Sequence, residues 1–579
     1  VTGGERVAEA LGRQGVQVVF TLCGGHISPI LVAAKRRGIR VVDVRDEGSA
    51  VFAADAVARL TGIPGVAIVT AGPGATNSVT AVANARQAES PLVLLGGAPP
   101  TILKGRGALQ DVDHQAILAP HVKSATLVRR VRDLAPAVDR AFAAARSGVP
   151  GPTFVECPVD VLYEERLVRE MYGVDGSSPA ADLSDRVRRW ALRRHVARIF
   201  AADRSVAVRE SRGLPVPAPS AHAVSRTVAL LGRAARPVLV LGSEAVRSVQ
   251  LVPQIVQAVE RLGVPVFTNG MARGLLGRGH PLAFRHRRAA ALKEADFVVL
   301  CGVPLDFRLD YGRQIGRSAT LVSVSLNRAW ISRNRRPTLG VVGEPGRFVI
   351  ALADHAAGGS LSPTVPSWIE TLRARERDRD DEIAELAARP TDGINPIALC
   401  RSIDCALADD SVVVADGGDF VGTAAYTVSP RRPLSWLDPG PFGTLGVGGG
   451  FALAAKVVRP AAEVWILYGD GAAAFSLAEF DTFVRHGLPV IAVVGNDAGW
   501  TQIARGQKEM LGDDVATVLR RTAYHRVAEG YGGVGFELSD PSRVNAVLTE
   551  AKAVARDGKP VLVNALIGPT EFRAGSISL

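Results

Sequence analysis

The sequence predicts an α/β protein built of three doubly wound parallel-sheet domains. Short apolar runs that suit buried strands alternate with helix-length segments in three separate stretches. Several of these runs end in Gly, Asp or Asn, as strands do when their carboxyl ends face a ligand crevice. At 579 residues the chain is also too long for a single core, and the length fits about three domains.

Residues 1–14 read as the start of an amphipathic helix rather than as a charged-then-apolar leader. Strand-like runs follow at 16–20, 39–43, 66–70, 91–95 and 153–156, which makes 1–170 the first domain. Residues 171–218 break the alternation with Pro179, Pro215 and Pro217, and they carry a basic stretch at 186–200. That stretch has two readings: a basic amphipathic helix lying on an acidic membrane surface, or a connector packing its Val/Leu/Ile stripe on a neighbouring domain. Alternation resumes over a central, Rossmann-like domain at 219–360, opening with Pro237-Val238-Leu239-Val240-Leu241-Gly242. A charged helix at 368–388 leads into the last domain, 375–579, whose first structured residues are expected near Pro396.

Composition narrows the function. Apolar content is 47%, yet no apolar run reaches the roughly 18 residues of a membrane span. Five cysteines, Cys23, Cys157, Cys301, Cys400 and Cys405, show neither disulfide nor zinc spacing, so a reducing cytoplasm is expected. The net charge of +11 suits either a solvated arginine-rich surface or a polyanionic partner. No nucleic-acid motif accompanies it, so no nucleic-acid partner is expected, and a phosphorylated small molecule fits better.

The strongest motif is Gly469-Asp470-Gly471, a helix-length spacer over 477–486, then Asn496-Asp497 and Gly499. Each piece follows an apolar strand run, so both acids sit at carboxyl ends of strands in one βαβ unit. Two side-chain oxygens and a backbone carbonyl suit Mg²⁺ beside phosphate oxygens, and the glycines let backbone approach a diphosphate. A magnesium–diphosphate site is expected here. A lone Gly-Asp-Gly is usually a turn; the spacing to Asn-Asp is what gives it weight.

This pattern resembles the cofactor motif of the thiamine-diphosphate (ThDP) superfamily of acetolactate synthases, pyruvate decarboxylases and oxalyl-CoA decarboxylases. The resemblance covers nearly the whole chain. It implies metal ligation by Asp470, Asp497 and the Gly499 carbonyl, with Gly469, Gly471, Ala472 and Trp500 lining the cofactor. The superfamily usually reads Asn where this chain has Asp497, which keeps the oxygen but adds negative charge. Glu47, in Arg45-Asp46-Glu47-Gly48, resembles the Glu that contacts N1′ of the aminopyrimidine. Alone, Glu47 would read as an ordinary first-turn acid. Pro73 and Asn77, in the segment after the 66–70 strand, match the border of the pyrimidine pocket. His26, at a strand end, is a candidate proton relay. Gln110 matches a Gln that points at the reacting centre. In the last domain Gly443, Thr444 and Leu445 resemble the Gly-Thr-Met-Gly loop, with Leu445 as the wedge between the cofactor rings. Gly418, Asp419 and Phe420 stand where relatives bind the diphosphate; synthases carry Gln and His there, which argues against a plain acetolactate synthase.

The resemblance implies a homodimer or homotetramer with active sites at subunit interfaces, because Glu47 of one subunit serves the cofactor held by its neighbour. Phrases such as 20–29, 494–502 and 572–578 are similar to the 2-hydroxyacyl-CoA lyase branch. That branch cleaves a 2-hydroxyacyl-CoA to an aldehyde and formyl-CoA and runs in both directions. Arg308, Arg328 and Arg333 are candidates for meeting CoA phosphates in the central domain. That domain takes ADP, FAD, the CoA nucleotide or nothing in relatives. By the same analogy, 572–579 would form a tail lid. The alternatives are an acetolactate synthase-like transferase acting on 2-oxo acids and a non-catalytic cofactor-binding protein.

Overall fold

The computed structural model describes residues 2–174, 182–201, 216–356 and 361–574. Part of the expected linker and most of the expected tail lid (575–579) lie outside the described residues. The chain divides into two compact units. The first comprises Val1–Ala58, Ile63–Leu214 and Gly440–Thr444; the second comprises Arg59–Gly62, Pro215–Pro439 and Leu445–Leu579.

The first unit holds a six-stranded sheet of β1 (Val18–Thr21), β2 (Arg40–Asp43), β3 (Gly65–Val69), β4 (Leu92–Ala98), β5 (Ala125–Leu127) and β6 (Pro152–Pro158). Its order is β2-β1-β3-β4-β6-β5 and every pairing is parallel. Buried Val, Ile, Leu and Ala side chains fill both faces, which is why β3 and β4 read as unbroken apolar runs. The short β5 has no such run and gave no sequence signal.

The second unit holds two sheets of the same kind. One contains β7 (Pro237–Leu241), β8 (Val266–Thr268), β9 (Ala283–Phe284), β10 (Phe297–Cys301), β11 (Thr320–Ser325) and β12 (Leu339–Val342). Its order is β12-β11-β10-β7-β8-β9. The other contains β13 (Val412–Asp416), β14 (Trp436–Leu437), β15 (Val464–Gly469), β16 (Ile491–Asn496), β17 (Val534–Leu538) and β18 (Val561–Leu566), in the order β14-β13-β15-β16-β18-β17. The strand order therefore switches sides between β1 and β3, β7 and β10, and β13 and β15, and in the first and third sheets it steps back once more at the β6-β5 and β18-β17 edges. Those switch points open crevices at the strands' carboxyl ends.

The crossover between β15 and β16 contains the expected helix as Glu479–Arg485, preceded by a second, Asp470–Ser476. Asp470 thus begins a helix directly at the strand end.

The basic stretch forms the helix Leu183–Ile199. Val196 packs with Val168 and Val174, and Ile199 joins the core of the first sheet. The connector reading thus describes one face of this helix.

Candidate active site

In the second unit the third sheet's switch point gathers Asp416 and Gly417 from β13 beside Gly469 and Asp470 from β15. Gly417 has φ +144°, and a Cβ there would lie 2.7 Å from the Gly469 nitrogen. Only glycine permits this approach. The Asp470 carboxylate accepts from the amides of Gly471 at 2.7 Å and Gly499 at 3.1 Å. This ties the Gly-Asp-Gly turn to the Asn-Asp-Ala-Gly turn across the sheet. Asp497 accepts from the Thr501 hydroxyl at 2.5 Å. Burial, then the charge of Asp497, pushes the Asp470 carboxyl up to about 7. Burial likewise raises Asp497, with Asp419 adding to it.

Two carboxylates that burial and mutual repulsion both disfavour form a site that a cation would relieve. Among the described residues no three His, Cys, Asp or Glu side chains converge as a metal cluster. The protein therefore offers two carboxylates and backbone oxygen, and the remaining ligands would come from phosphate and water. That donor set fits Mg²⁺.

Beside it lies a cavity of about 580 Å³ whose lining includes Gly471, Phe475, Trp500, Arg520, Thr522 and Tyr524. A Cβ on Gly471 would stand 2.5 Å from the Trp500 ring, so the indole closes down on bare backbone. Ala472 is buried behind it. Gly418 is exposed and Asp419 half-buried at the start of the helix Asp419–Thr427. Asp419 is held by Arg505 at 2.8 Å, and Arg505 also donates to the Arg573 carbonyl at 3.0 Å. The Phe420 side chain is a correction: it is 3% exposed and packs in the core against Gly495, so only its backbone remains for a ligand.

Asp416 was not singled out by the sequence. It is fully buried and accepts from the amides of Gly446 at 3.1 Å and Gly448 at 2.8 Å. It thereby pins the stretch that follows Leu445, itself half-buried. Burial pushes this carboxyl up to about 7 against the pull of the two amides.

In the first unit Glu47 opens the helix Glu47–Thr61 and is 5% exposed. Capping falls to its neighbour, since the Ser49 amide donates to Asp46 at 3.3 Å. Glu47 Oε2 instead accepts from Asn77 Nδ2 at 3.1 Å. The short helix Pro73–Asn77 carries Pro73 and Asn77, both exposed at the edge of this acid.

His26 and Gln110 come together around the same turn. His26 Nδ1 lies 3.4 Å from the Thr70 hydroxyl. Gln110 adopts φ +63°, and a Cβ on Gly72 would sit 2.8 Å from its Cβ. Burial, with His114 nearby, holds the His26 pKa below its ordinary value. His114 itself is wholly buried: Nε2 accepts from the Gly72 amide at 2.8 Å, and Nδ1 faces Glu156 Oε1 at 3.1 Å. Because Nε2 accepts, the ring proton is on Nδ1, toward Glu156. Burial would raise Glu156, but hydrogen bonds from His114, Lys104 and Gln115 outweigh it and hold the acid below its usual range. The one hint to His114 in the sequence was its place four residues after Gln110. Its partner is far away in the chain.

In the second sheet's domain Arg308 pairs with Asp306 through both oxygens. Arg328 and Arg333 are exposed.

Three segments match the thiamine pyrophosphate enzyme families: the N-terminal TPP binding domain over 1–117, the central domain over 224–352 and the C-terminal TPP binding domain over 416–565. The chain belongs to the thiamine pyrophosphate enzymes. Within this family it is 51% identical to 2-hydroxyacyl-CoA lyase 2 of Homo sapiens, covering 100% of this chain and 92% of that protein. It is 48% identical to the Danio rerio protein of the same name, over 100% and 93%. It is 36% identical to acetolactate synthase large subunit IlvG of Mycobacterium tuberculosis, over 98% and 96%. The two motif groups described above fall in or beside the segments of the two TPP binding domains.

Proposed function

We propose that this thiamine pyrophosphate enzyme is a Mg²⁺-dependent carbon–carbon lyase that cleaves a 2-hydroxyacyl-CoA to an aldehyde and formyl-CoA, reversibly. The observation that carries the reading is likeness to 2-hydroxyacyl-CoA lyase 2 along the entire chain, at 51% identity, against 36% for the acetolactate synthase.

Asp470, Asp497 and the Gly499 carbonyl hold Mg²⁺ and through it the diphosphate. Gly469, Gly471 and Ala472 bring backbone close, and Trp500 closes one wall. Gly418, Asp419 and the Phe420 amide border the same diphosphate, with Arg505 balancing the charge of Asp419. Glu47, oriented by Asn77 beside Pro73, would accept a hydrogen bond from pyrimidine N1′. Gly443 and Thr444 would meet the aminopyrimidine, and Leu445 would be the apolar wedge against it. The cofactor supplies the carbon nucleophile and the sink for the electrons of the breaking bond. His26 and Gln110 face the reacting carbonyl; His26, kept neutral by burial, accepts and returns the substrate hydroxyl proton.

From the likeness to this family, we assign the working form to a homodimer or homotetramer in which one subunit's Glu47 serves its partner's cofactor. Arg328 and Arg333 are assigned to the CoA phosphates, ahead of ADP or FAD in the central domain. Five unpaired cysteines support a reducing cytoplasm.

The test is mass spectrometry of products after incubating the holoenzyme with a 2-hydroxyacyl-CoA in one tube and pyruvate in another. Aldehyde with formyl-CoA or formate from the first tube is expected. Acetolactate from the second alone would overturn the lyase reading in favour of a synthase.

A further inference from the structure

The helix Leu183–Ile199 has two opposed apolar stripes, and among the described residues only one is buried. Leu192, Val196 and Ile199, spaced i, i+4 and i+7, turn inward against Tyr163, Val168, Tyr172 and the first sheet's core. Leu183, Val187 and Trp190 repeat the same spacing on the opposite side and are 74%, 57% and 60% exposed. Among the described residues nothing covers them. A solvated connector would place polar side chains there, and burying such residues elsewhere would lower the free energy.

The charge pattern selects the occupant. The helix carries six arginines and one aspartate. Arg186, Arg194 and Arg198 border the exposed stripe at helical spacing and are themselves exposed. Arg194 lies over the Trp190 ring at 5.4 Å. Asp185, the single acid, is engaged with Arg188 and Arg189 away from the stripe. A second copy of this helix packed face to face would bring two arginine rows together. A nucleic acid would satisfy the arginines but leave Leu183 and Val187 in water. Trp beside Leu and Val, flanked by arginines, is the composition that lies in the headgroup region of an anionic bilayer.

We propose that the outer face of the helix Leu183–Ile199 docks this enzyme onto an anionic lipid bilayer, inserting Leu183, Val187 and Trp190 while Arg186, Arg194 and Arg198 meet lipid phosphates. The seventeen-residue helix would lie flat along about 25 Å of surface. No described helix is long and apolar enough to cross a membrane. The attachment is independent of which substrate the active site takes.

The experiment is co-sedimentation of the full-length holoenzyme with vesicles of phosphatidylglycerol and phosphatidylcholine, or of phosphatidylcholine alone, at low and high salt. Wild type is expected on the anionic vesicles, released by salt, and absent from neutral ones. Replacing Arg186, Arg194 and Arg198 with Gln should weaken partitioning about a hundredfold, at roughly fivefold per basic residue. Val187→Ser with Trp190→Ser should weaken it while leaving turnover and Tm unchanged. Failure of wild type to bind anionic vesicles at low salt overturns the proposal. So does unchanged binding by both variants. A fall in oligomer mass on light scattering without loss of vesicle binding would assign the stripe to a second copy and overturn it equally.

Discussion

Replacing Asp416 with Asn tests how the loop after Leu445 is held. The two side chains are nearly the same size, but Asn has one acceptor oxygen where the carboxylate has two. One of the Gly446 and Gly448 amides then faces an NH₂ group, a loss of about 1–3 kcal/mol for a buried donor. Against this stands the burial of charge. The Asp416 carboxyl rises from 3.8 to about 7, a difference worth about 4 kcal/mol. Its sign follows from proton counting. Between pH 4 and 7 the folded state holds a proton that the unfolded state has released, so wild-type stability declines as pH rises through that window and the loss is complete above about 7. Asn carries no such proton. The stability of the variant relative to wild type should therefore move in its favour by about 4 kcal/mol from pH 4 to pH 8, with the variant weaker in acid and equal or stronger in base. Urea unfolding of both apo-proteins across this range reads the difference, and groups common to both cancel. Because the loop loses an anchor, kcat should fall about tenfold to a hundredfold even where stability is unchanged. A stability difference that stays flat with pH would refute the charge-burial reasoning.

Other outcomes are as definite. Glu47→Gln should retain ThDP, measured by fluorescence quenching on cofactor titration, yet lower kcat by about 10²–10⁴-fold; unchanged turnover would remove Glu47 from the chemistry. Gly471→Ala puts a methyl 2.5 Å from the Trp500 ring, so the indole must shift and cofactor affinity should weaken about tenfold or more, read by the same titration. Wild-type Mg²⁺ affinity should fall as pH drops through about 7, where Asp470 takes up its proton; Asp497→Asn removes a charge that raises Asp470 and should move that midpoint to lower pH in calorimetry. His114→Phe leaves the Gly72 amide without its acceptor and should cost about 1–3 kcal/mol, with kcat falling alongside because the turn facing Gln110 loosens. His114→Gln, which keeps an acceptor, should recover part of both.

The sequence by itself determined the parallel sheets, because strands buried on both faces must be apolar throughout and end abruptly at Gly, Asp or Asn. It likewise marked Gly469-Asp470-Gly471, Asn496-Asp497 and Glu47, since each lies next to a strand end and the chemistry is written within a few neighbouring residues. The direction a side chain faces was not legible in this way. Phe420 adjoins Asp419 in the chain, yet one packs under Gly495 and the other pairs with Arg505, because the helix start turns them to opposite sides. Arg308 was legible as a cation but not as the partner of Asp306, a choice made by the local loop geometry. His114 and Glu156 meet only because β6 lies beside β4 and β5, and Asp416 reaches Gly446 and Gly448 only across the switch point. The arginines of the helix Leu183–Ile199 were plain in the sequence. Which of its two apolar stripes would be buried depended on the core it met, and only the tertiary structure decided that.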